Sequence, residues 1–325
     1  MIVASNPNRP SKRRVNLRRA LLAVLAIVTC LAGVFYCRPL WVIDRVTRAW
    51  LRLEGVRSDY VQLGSYRIHY LAGGEGKPLI LVHGLGGRAQ DWALLMPTLM
   101  RHGHRVYALD LLGFGRSQRP DVDYSIALQS DVLNQFIDSQ RLTRFDLAGW
   151  SMGGWVALKF TLVHPERVRR LIVLDSAGID FTPAFDPALF HPSTLAQARE
   201  FLTWLTPQAS SIPDFVARDF IREARPNVWV VDRAFKSMES RVDMLDGRLG
   251  AIQSPVLIVW GKQDILIPLA CADEMHREMP QSSLDLFDGC GHLAPVECHD
   301  RVLPEALRFL EAEPPLPPLG REFPR

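Results

Sequence analysis

Apolar positions along the chain form short continuous runs that alternate with stretches of helical periodicity. The first two runs, 60–63 and 66–70, are separated by a Gly-Ser dipeptide, a connection typical of β-hairpins. Later runs occur at 79–82, 106–109, 145–148, 171–174, 256–260 and, more weakly, 284–287, with helical patterns such as 126–140 and 155–163 between them. Continuous apolar strands that alternate with helices indicate a mostly parallel sheet covered on both faces. The pattern therefore predicts an α/β domain.

The segment between residues 180 and 250 interrupts this alternation, because it contains no strong strand run. Its aromatic residues are scattered among helix formers and include Phe181, Phe185, Phe190, Phe201, Trp204, Phe215, Phe220 and Phe235. Its prolines break it into short pieces and include Pro183, Pro187, Pro192, Pro207 and Pro213. We predict an inserted helical cap whose aromatic residues form a small core and line a pocket beneath it.

Residues 20–37 form an uncharged apolar run, with Arg18 and Arg19 before it and Arg38 after it. That length can span a bilayer. A cleaved secretory signal is the alternative, but the run is long for one, and bulky aromatic residues at its end are typical of membrane-interface anchors. We favour an uncleaved anchor. Six basic residues cluster before residue 20, and because the more positive flank stays in the cytoplasm, the N-terminus is predicted to be cytoplasmic and the catalytic domain to be exported to the periplasmic side of a bacterial membrane.

A basic amphipathic helix is predicted directly after this run. Leu40, Ile43, Val46, Trp50 and Leu53 recur at helical spacing, while arginines occupy other positions. Such a helix either lies on the membrane surface or packs on the domain, and the pattern leaves both interpretations open.

These patterns divide the chain into seven segments. They are a basic cytoplasmic tail (1–19), a transmembrane signal-anchor (20–37), an amphipathic connector (38–57), the first part of the α/β core (58–179), the helical cap (180–250), the second part of the core (251–312) and a Pro-rich tail (313–325).

The composition is that of an ordinary globular protein, with 48% hydrophobic and 22% charged residues. The formal net charge is +3, but basic residues concentrate before residue 20, so the remainder of the chain is slightly acidic. No basic groove with interleaved aromatic residues is evident, which argues against a nucleic-acid partner. Cys290 and Cys298 could pair in an oxidising compartment, although we favour burial as small hydrophobic side chains, and their spacing indicates no metal site.

The candidate nucleophile is Ser151, in a G-x-S-x-G motif between an apolar strand and a helical stretch. The turn between the two elements is so sharp that side chains at positions 149 and 153 would collide with it, which explains the glycines there. Strain in this turn aims the hydroxyl outward.

A serine hydroxyl needs a base that is oriented by a carboxylate. His292 follows the last strand-like run, between glycine-rich residues, and Asp264 follows the preceding apolar strand. The order Ser, Asp, His is typical of a strand–turn–helix nucleophile of this kind. Asp175, at the end of the strand after the nucleophile, is the alternative acid.

The oxyanion of the intermediate requires fixed donors, and the backbone N–H groups of Leu85 and Met152 are the candidates. His83 lies beside the same glycine turn, where we expect it to have a structural hydrogen-bonding role. Asp110 and Asp146 are also interpreted as structural.

Together these residues give the chain a resemblance to the α/β-hydrolase superfamily, and within it to membrane-anchored serine lipases and esterases such as monoacylglycerol lipases. The resemblance covers about 60–310 and includes the His-Gly-Leu-Gly-Gly run at 83–87, the loop 110–117, and the Ser151, Asp264 and His292 segments. It implies an α/β-hydrolase fold with this triad. It says much less about the substrate, since one fold carries many activities.

We therefore expect a serine esterase or lipase that acts through an acyl-enzyme on lipidic esters such as monoacylglycerols. Its expected partners are a lipid or small-molecule ester and the membrane, with no required protein partner. No metal or organic cofactor is needed. The alternatives are a C–C bond hydrolase of aromatic ring-cleavage products and a non-catalytic ligand-binding protein of the same fold, against which an intact triad argues.

Overall fold

The computed structural model describes residues 12–312 and 321–323. Residues 1–11 of the predicted basic tail, and 313–320 and 324–325 of the predicted Pro-rich tail, lie outside the described residues.

Within the described residues, nine strands form a single sheet. They are β1 (Arg57–Leu63), β2 (Tyr66–Gly73), β3 (Lys77–Val82), β4 (His104–Leu109), β5 (Phe145–Trp150), β6 (Val168–Leu174), β7 (Val256–Gly261), β8 (Ser282–Phe287) and β9 (Arg321–Phe323). Their spatial order is β1-β2-β4-β3-β5-β6-β7-β8-β9. The hairpin β1–β2 and the pair β2–β4 are antiparallel, and every other neighbouring pair is parallel.

Eleven α-helices accompany the sheet in the described residues. They are α1 (Lys12–Cys37), α2 (Pro39–Leu53), α3 (Met96–Arg101), α4 (Ile126–Ser139), α5 (Met152–Val163), α6 (Leu195–Leu205), α7 (Asp214–Ala224), α8 (Val228–Glu239), α9 (Leu269–Glu278), α10 (Ala294–Glu297) and α11 (His299–Glu311). Short 3-10 helices lie at Ala89–Trp92, Pro187–Phe190, Ala209–Ser211, Arg225–Asn227 and Leu249–Ala251.

Alternate residues of each central strand face opposite sides of the sheet. In β3, Ile80 and Val82 pack in one apolar cluster with α4, α5 and α9, whereas Leu79 and Leu81 pack in a second cluster with α2, α3 and α11. Both faces are thus buried, which explains why the central strands were visible in the sequence as continuous apolar runs. The predicted fold class is confirmed: a mostly parallel sheet flanked by helices, with a helical insertion.

Helices α6, α7 and α8 lie in the connection between β6 and β7, where the cap was proposed. A small cluster around Ala198, Leu202, Ala209 and Ala217 forms the interior of this connection. A separate helical layer is therefore inserted after the carboxyl end of β6.

Helix α1 contains an apolar span, Arg19–Cys37, of 19 residues near the N-terminus, long enough to cross a membrane, and none of it is buried in the protein. Helix α2 packs on the domain through the buried residues Pro39, Asp44 and Leu51. Val46 and Leu53 nevertheless remain 62% and 88% exposed. The helix therefore packs on the domain along one side, where Trp50 of the predicted apolar stripe also packs against the cluster, while part of that stripe stays exposed.

Strand β9 lies within the segment that was predicted as a loose tail. It pairs in parallel with β8, where Leu286 is opposite Glu322, and extends the sheet by one edge strand. The proline-rich composition that suggested a tail belongs to the residues before it.

Two leucines near the end of α2, Leu51 and Leu53, provide a test of this packing. We expect Leu51→Ala to lower the free energy of unfolding by about 3 kcal/mol, because the substitution leaves a cavity in the apolar cluster under the sheet. Leu53→Ala, the matched control in the same helix, should change it by less than about 0.5 kcal/mol. Urea unfolding of the full chain in detergent micelles measures both, and equal effects would show that α2 is not docked.

Candidate active site

Ser151 lies in a strained turn between β5 and α5. Its backbone angles are φ 55° and ψ −124°, a conformation that side-chain-bearing residues rarely adopt. A Cβ atom at Gly149 would lie 2.2 Å from the carbonyl oxygen of Gly153, and one at Gly153 would lie 2.3 Å from that of Val82. Only glycine fits at these two positions, so the motif follows from the close approach of α5 to β3 and β5.

The three side chains predicted as a triad are in contact. Ser151 Oγ lies 2.9 Å from His292 Nε2, and His292 Nδ1 lies 2.8 Å from Asp264 Oδ2. All three residues are buried. Asp264 and His292 follow β7 and β8, so the carboxyl ends of neighbouring parallel strands bring them together.

Hydrogen bonds around Asp264 orient the imidazole. Asp264 Oδ1 accepts hydrogen bonds from the N–H groups of Leu266 (2.8 Å) and Ile267 (3.0 Å), which leaves Oδ2 for the ring. A carboxylate can only accept, so His292 Nδ1 carries the proton and Nε2 accepts from the Ser151 hydroxyl. Trp150 Nε1 donates to the His292 carbonyl oxygen at 2.7 Å and holds the loop in place. This is the arrangement required of a general base.

Asp175, the alternative acid, has no hydrogen bond to His292 among those described, and the ring bonds to Asp264 and Ser151 instead. Its Oδ1 accepts a hydrogen bond from the N–H group of Gly261, the last residue of β7, at 2.7 Å. Burial, together with the nearby charge of Asp264, raises the pKa of the Asp175 carboxyl well above its usual value. We therefore place Asp175 in a structural position beneath the site, and Asp264 remains the candidate acid.

The proposed oxyanion donors border the same cavity as the nucleophile. Leu85 and Met152 both line it, together with Ser151 and His292. Met152 is the first residue of α5, where backbone N–H groups have no partner within the helix. The neighbouring loop is tight against the nucleophile, since a Cβ atom at Gly84 would lie 3.0 Å from Ser151 Cβ.

The other polar residues singled out in the sequence make structural hydrogen bonds. His83 Nε2 accepts from Leu111 N–H at 3.0 Å, so His83 Nδ1 donates to the Gly84 carbonyl oxygen at 2.7 Å. Asp110 accepts from Ala89 N–H at 2.6 Å and fixes the segment after the glycine turn. Asp146 pairs with Arg169 of the neighbouring strand β6, at the amino ends of the two strands.

Our preference for unpaired cysteines in the loop around His292 was wrong. Cys290 and Cys298 form a disulfide, with their Cα atoms 6.2 Å apart. Both are also buried, as expected, but spacing in the sequence could not show that the loop folds back far enough to join them. The bridge closes the loop that carries His292.

A cavity of about 1030 Å³ extends from Ser151 into the cap. Trp150 and Trp155 of the core line it, and its larger aromatic wall comes from the cap and consists of Phe181, Phe185, Phe190, Phe201, Phe220 and Phe235. Of the remaining aromatic residues predicted to be in the cap core or pocket, Trp204 packs on Phe185 and Phe215 contacts α1. The charged residues of the wall are three arginines and four acids: Arg88, Asp91, Arg119, Asp180, Glu223, Glu239 and Arg241.

Comparison with known proteins identifies relatives of two kinds. A family model described as the alpha/beta hydrolase family matches residues 79–305. A 2-hydroxy-6-oxo-2,4-heptadienoate hydrolase from Pseudomonas putida is 32% identical over 255 residues, which cover 74% of this chain and 91% of the relative.

Two solved structures are lipolytic proteins by name. A bacterial membrane phospholipase A, described as a virulence factor, superimposes with a TM-score of 0.73 and 26% identity over 90% of this chain and 99% of its own. A putative lipase from Acinetobacter baumannii gives a TM-score of 0.71 and 25% identity, with 82% of this chain and 95% of its own covered.

The two buried aspartates should respond differently to the same substitution. Asp264→Asn should lower the rate of Ser151 labelling by a fluorophosphonate by about 10⁴-fold, because the amide would favour the wrong imidazole tautomer. Asp175→Asn keeps an acceptor for Gly261 N–H and should stay within about tenfold of wild type. Similar losses in both variants would contradict the assignment of Asp264, rather than Asp175, as the acid that orients His292.

The raised pKa of Asp175 also predicts a pH dependence of stability. A carboxyl group whose pKa is higher in the folded than in the unfolded state stabilises the fold at low pH, and that stabilisation is lost as the pH rises towards the folded-state pKa. Asparagine does not titrate, so Asp175→Asn should gain stability relative to wild type as the pH rises above about 4. Urea unfolding at pH 4, 6 and 8 measures the difference, which a constant offset between the two proteins would contradict.

Proposed function

The chain belongs to the alpha/beta hydrolase family, and we propose that it is a membrane-anchored serine hydrolase that cleaves lipidic carboxylic esters. The observation that carries this proposal is the position of the Ser151–His292–Asp264 array at the end of a large, aromatic-lined cavity.

The proposed reaction uses the hydrogen bonds already present in the site. Ser151 Oγ attacks the ester carbonyl carbon while His292 Nε2 takes the hydroxyl proton, and Asp264 stabilises the resulting imidazolium. Leu85 and Met152 N–H groups bind the oxyanion. Collapse of the intermediate passes the proton from His292 to the leaving alkoxide and leaves an acyl-enzyme. Water, activated by the same histidine, then releases the acid.

The composition of the cavity wall favours a substrate with an uncharged, apolar acyl group. Phenylalanine side chains of the cap dominate it, and its volume suits a large ligand. Among the cationic side chains of this wall, Arg88 interacts with Asp44 and Asp91, and Arg241 pairs with Asp180. Charges that are already balanced provide little attraction for an anionic substrate.

The N-terminal helices support action at a membrane. The exposed apolar span of α1 suits an uncleaved anchor, with the N-terminus in the cytoplasm and the hydrolase on the periplasmic side. The Cys290–Cys298 disulfide fits an oxidising compartment. The match to the membrane phospholipase A covers 90% of the chain, more than residues 58–325 contain, so it extends into the N-terminal helices.

A C–C bond hydrolase is the second candidate, because the Pseudomonas relative is named for a heptadienoate substrate. Such a substrate carries a carboxylate, which requires a cationic partner in the cavity. Arg119 is the cavity arginine without a described carboxylate partner, and its Nη2 already donates to the Gly115 carbonyl oxygen at 2.6 Å. A bond to a neutral carbonyl leaves the charge of Arg119 unbalanced, so this arginine is the observation that favours the dienoate as the second candidate, whereas the aromatic wall favours the ester.

A panel of esters with graded acyl chains tests the proposal. Purified full chain in detergent should hydrolyse medium and long acyl esters with a higher kcat/KM than acetyl esters, because only the longer chains reach the aromatic wall. Ser151→Ala should lower kcat/KM by about 10⁴-fold or more.

A ring-cleavage dienoate is the comparison substrate in the same assay. Turnover of the dienoate with no turnover of any ester would overturn the proposal in favour of the C–C hydrolase. A folded protein whose Ser151 is not labelled by a fluorophosphonate would indicate a non-catalytic binding protein.

A further inference from the structure

The junction between α1 and α2 is bound to the cap through a buried carboxylate. Asp219, in α7, is fully buried. Its Oδ1 accepts from Arg38 Nε at 3.0 Å and from Arg222 Nη1 at 2.7 Å, and its Oδ2 accepts from Leu40 N–H at 2.9 Å. Two of these three donors belong to the junction, so Asp219 ties α7 to the end of the apolar span.

Aromatic and backbone contacts extend this attachment. The ring of Tyr36, in the last turn of α1, stacks on Phe215 of α7 with centroids 5.1 Å apart. Arg222 Nη1 also donates to the Cys37 carbonyl oxygen at 2.9 Å. Helix α7 is therefore held along its length by the junction.

The same helix forms part of the cavity wall. Arg38 Nη2 donates to Glu223 Oε1 at 2.6 Å, and Glu223 lines the cavity. Phe220, one residue after Asp219, also lines it and stacks on Phe201 with centroids 5.4 Å apart and an interplanar angle of 13°. A movement of α7 away from the junction would displace both side chains.

Helix α2 contacts a second part of the cavity wall as well. Its buried Asp44 lies 3.5 Å from Arg88 Nη1, and the Asp44 carbonyl oxygen accepts from Gln90 Nε2 at 3.3 Å. Arg88 lines the cavity three residues after Leu85. The helix thus connects the loop of the proposed oxyanion donor to the cap.

We propose that the anchor junction acts as a clamp on the cavity, in which Arg38 and Asp219 are positioning residues that set the preference for long acyl chains. The inference rests on the proposed function, because it assigns the cavity wall beside α7 to the acyl chain. The hydrogen bonds among Ser151, His292 and Asp264 do not depend on the clamp, since these residues follow strands of the central sheet.

The physical reason is the burial of Asp219. A buried carboxylate is tolerated only while its hydrogen-bonding partners remain in place. Without Arg38 the carboxylate would be drawn towards water, and α7 would move with it. The acyl wall at Phe220 would then lose its fit, while the chemistry at Ser151 would continue.

Labelling of Ser151 by two fluorophosphonates, one with an ethyl and one with a dodecyl chain, tests this in the full chain in detergent micelles. Asp219→Asn and Arg38→Gln should each lower the ratio of dodecyl to ethyl labelling rates by about tenfold. The rate with the ethyl probe should stay within about twofold of wild type. Arg38→Lys, which can reach one acid but not both, should give an intermediate ratio.

Asp214→Asn is the matched control, because Asp214 lies on the same helix and pairs with Arg199 inside the cap rather than with the junction. It should keep the wild-type ratio. Arg38 is 41% exposed in its side chain, so Arg38→Gln provides a folded test even if Asp219→Asn fails to fold.

A wild-type ratio in Arg38→Gln, or the same fall in Asp214→Asn, overturns the clamp while leaving the hydrolase proposal intact. If neither probe labels wild-type Ser151, the proposed function fails and the clamp fails with it.

Discussion

The close approach of α5 to the ends of β3 and β5 is the constraint on which the site depends. Carbonyl oxygens of Gly153 and Val82 occupy the space that side chains at positions 149 and 153 would need. The chain can pass from strand to helix there only with Ser151 at a positive φ, at a cost of about 1–3 kcal/mol. Burial of the central strands on both faces offsets that cost, and the strain directs the hydroxyl to the edge where β7 and β8 also end.

Much of this architecture was predictable from the sequence, because its causes are local. A strand that is buried on both faces must be apolar throughout, and β3 to β7 are visible as such runs. The triad followed from the glycine spacing at Ser151 and from the order of the acid and the base. The structure then brought the predicted side chains of Asp264 and His292 into hydrogen-bonding contact.

The remaining features depend on contacts between distant segments, which the periodicity of a sequence does not reveal. The buried leucine of α2, Leu51, lies off the apolar stripe that marks the helix in the sequence. The disulfide depends on how the loop between Cys290 and Cys298 folds back, and β9 forms only because β8 offers a free edge. The role of Asp219 could not be seen either, since a lone acid in a helix has the pattern of a solvent-exposed residue.

The distribution of charge around α2 indicates what the N-terminal helices contribute. Ion pairs at an exposed surface contribute little, and buried ones often replace an equally stable apolar contact. Asp44 and Asp219 are nevertheless both buried, and each has partners on α2 or its junction and on a cavity wall. Such pairs are more useful for alignment than for stability, because a shifted helix would leave a charge without a partner. A hydrolase whose cap was positioned by the sheet alone would not need the ion pairs of these two buried aspartates. Their placement argues that the distance between cap and core is set by α2, so that the N-terminal helices and the shape of the cavity are parts of one arrangement.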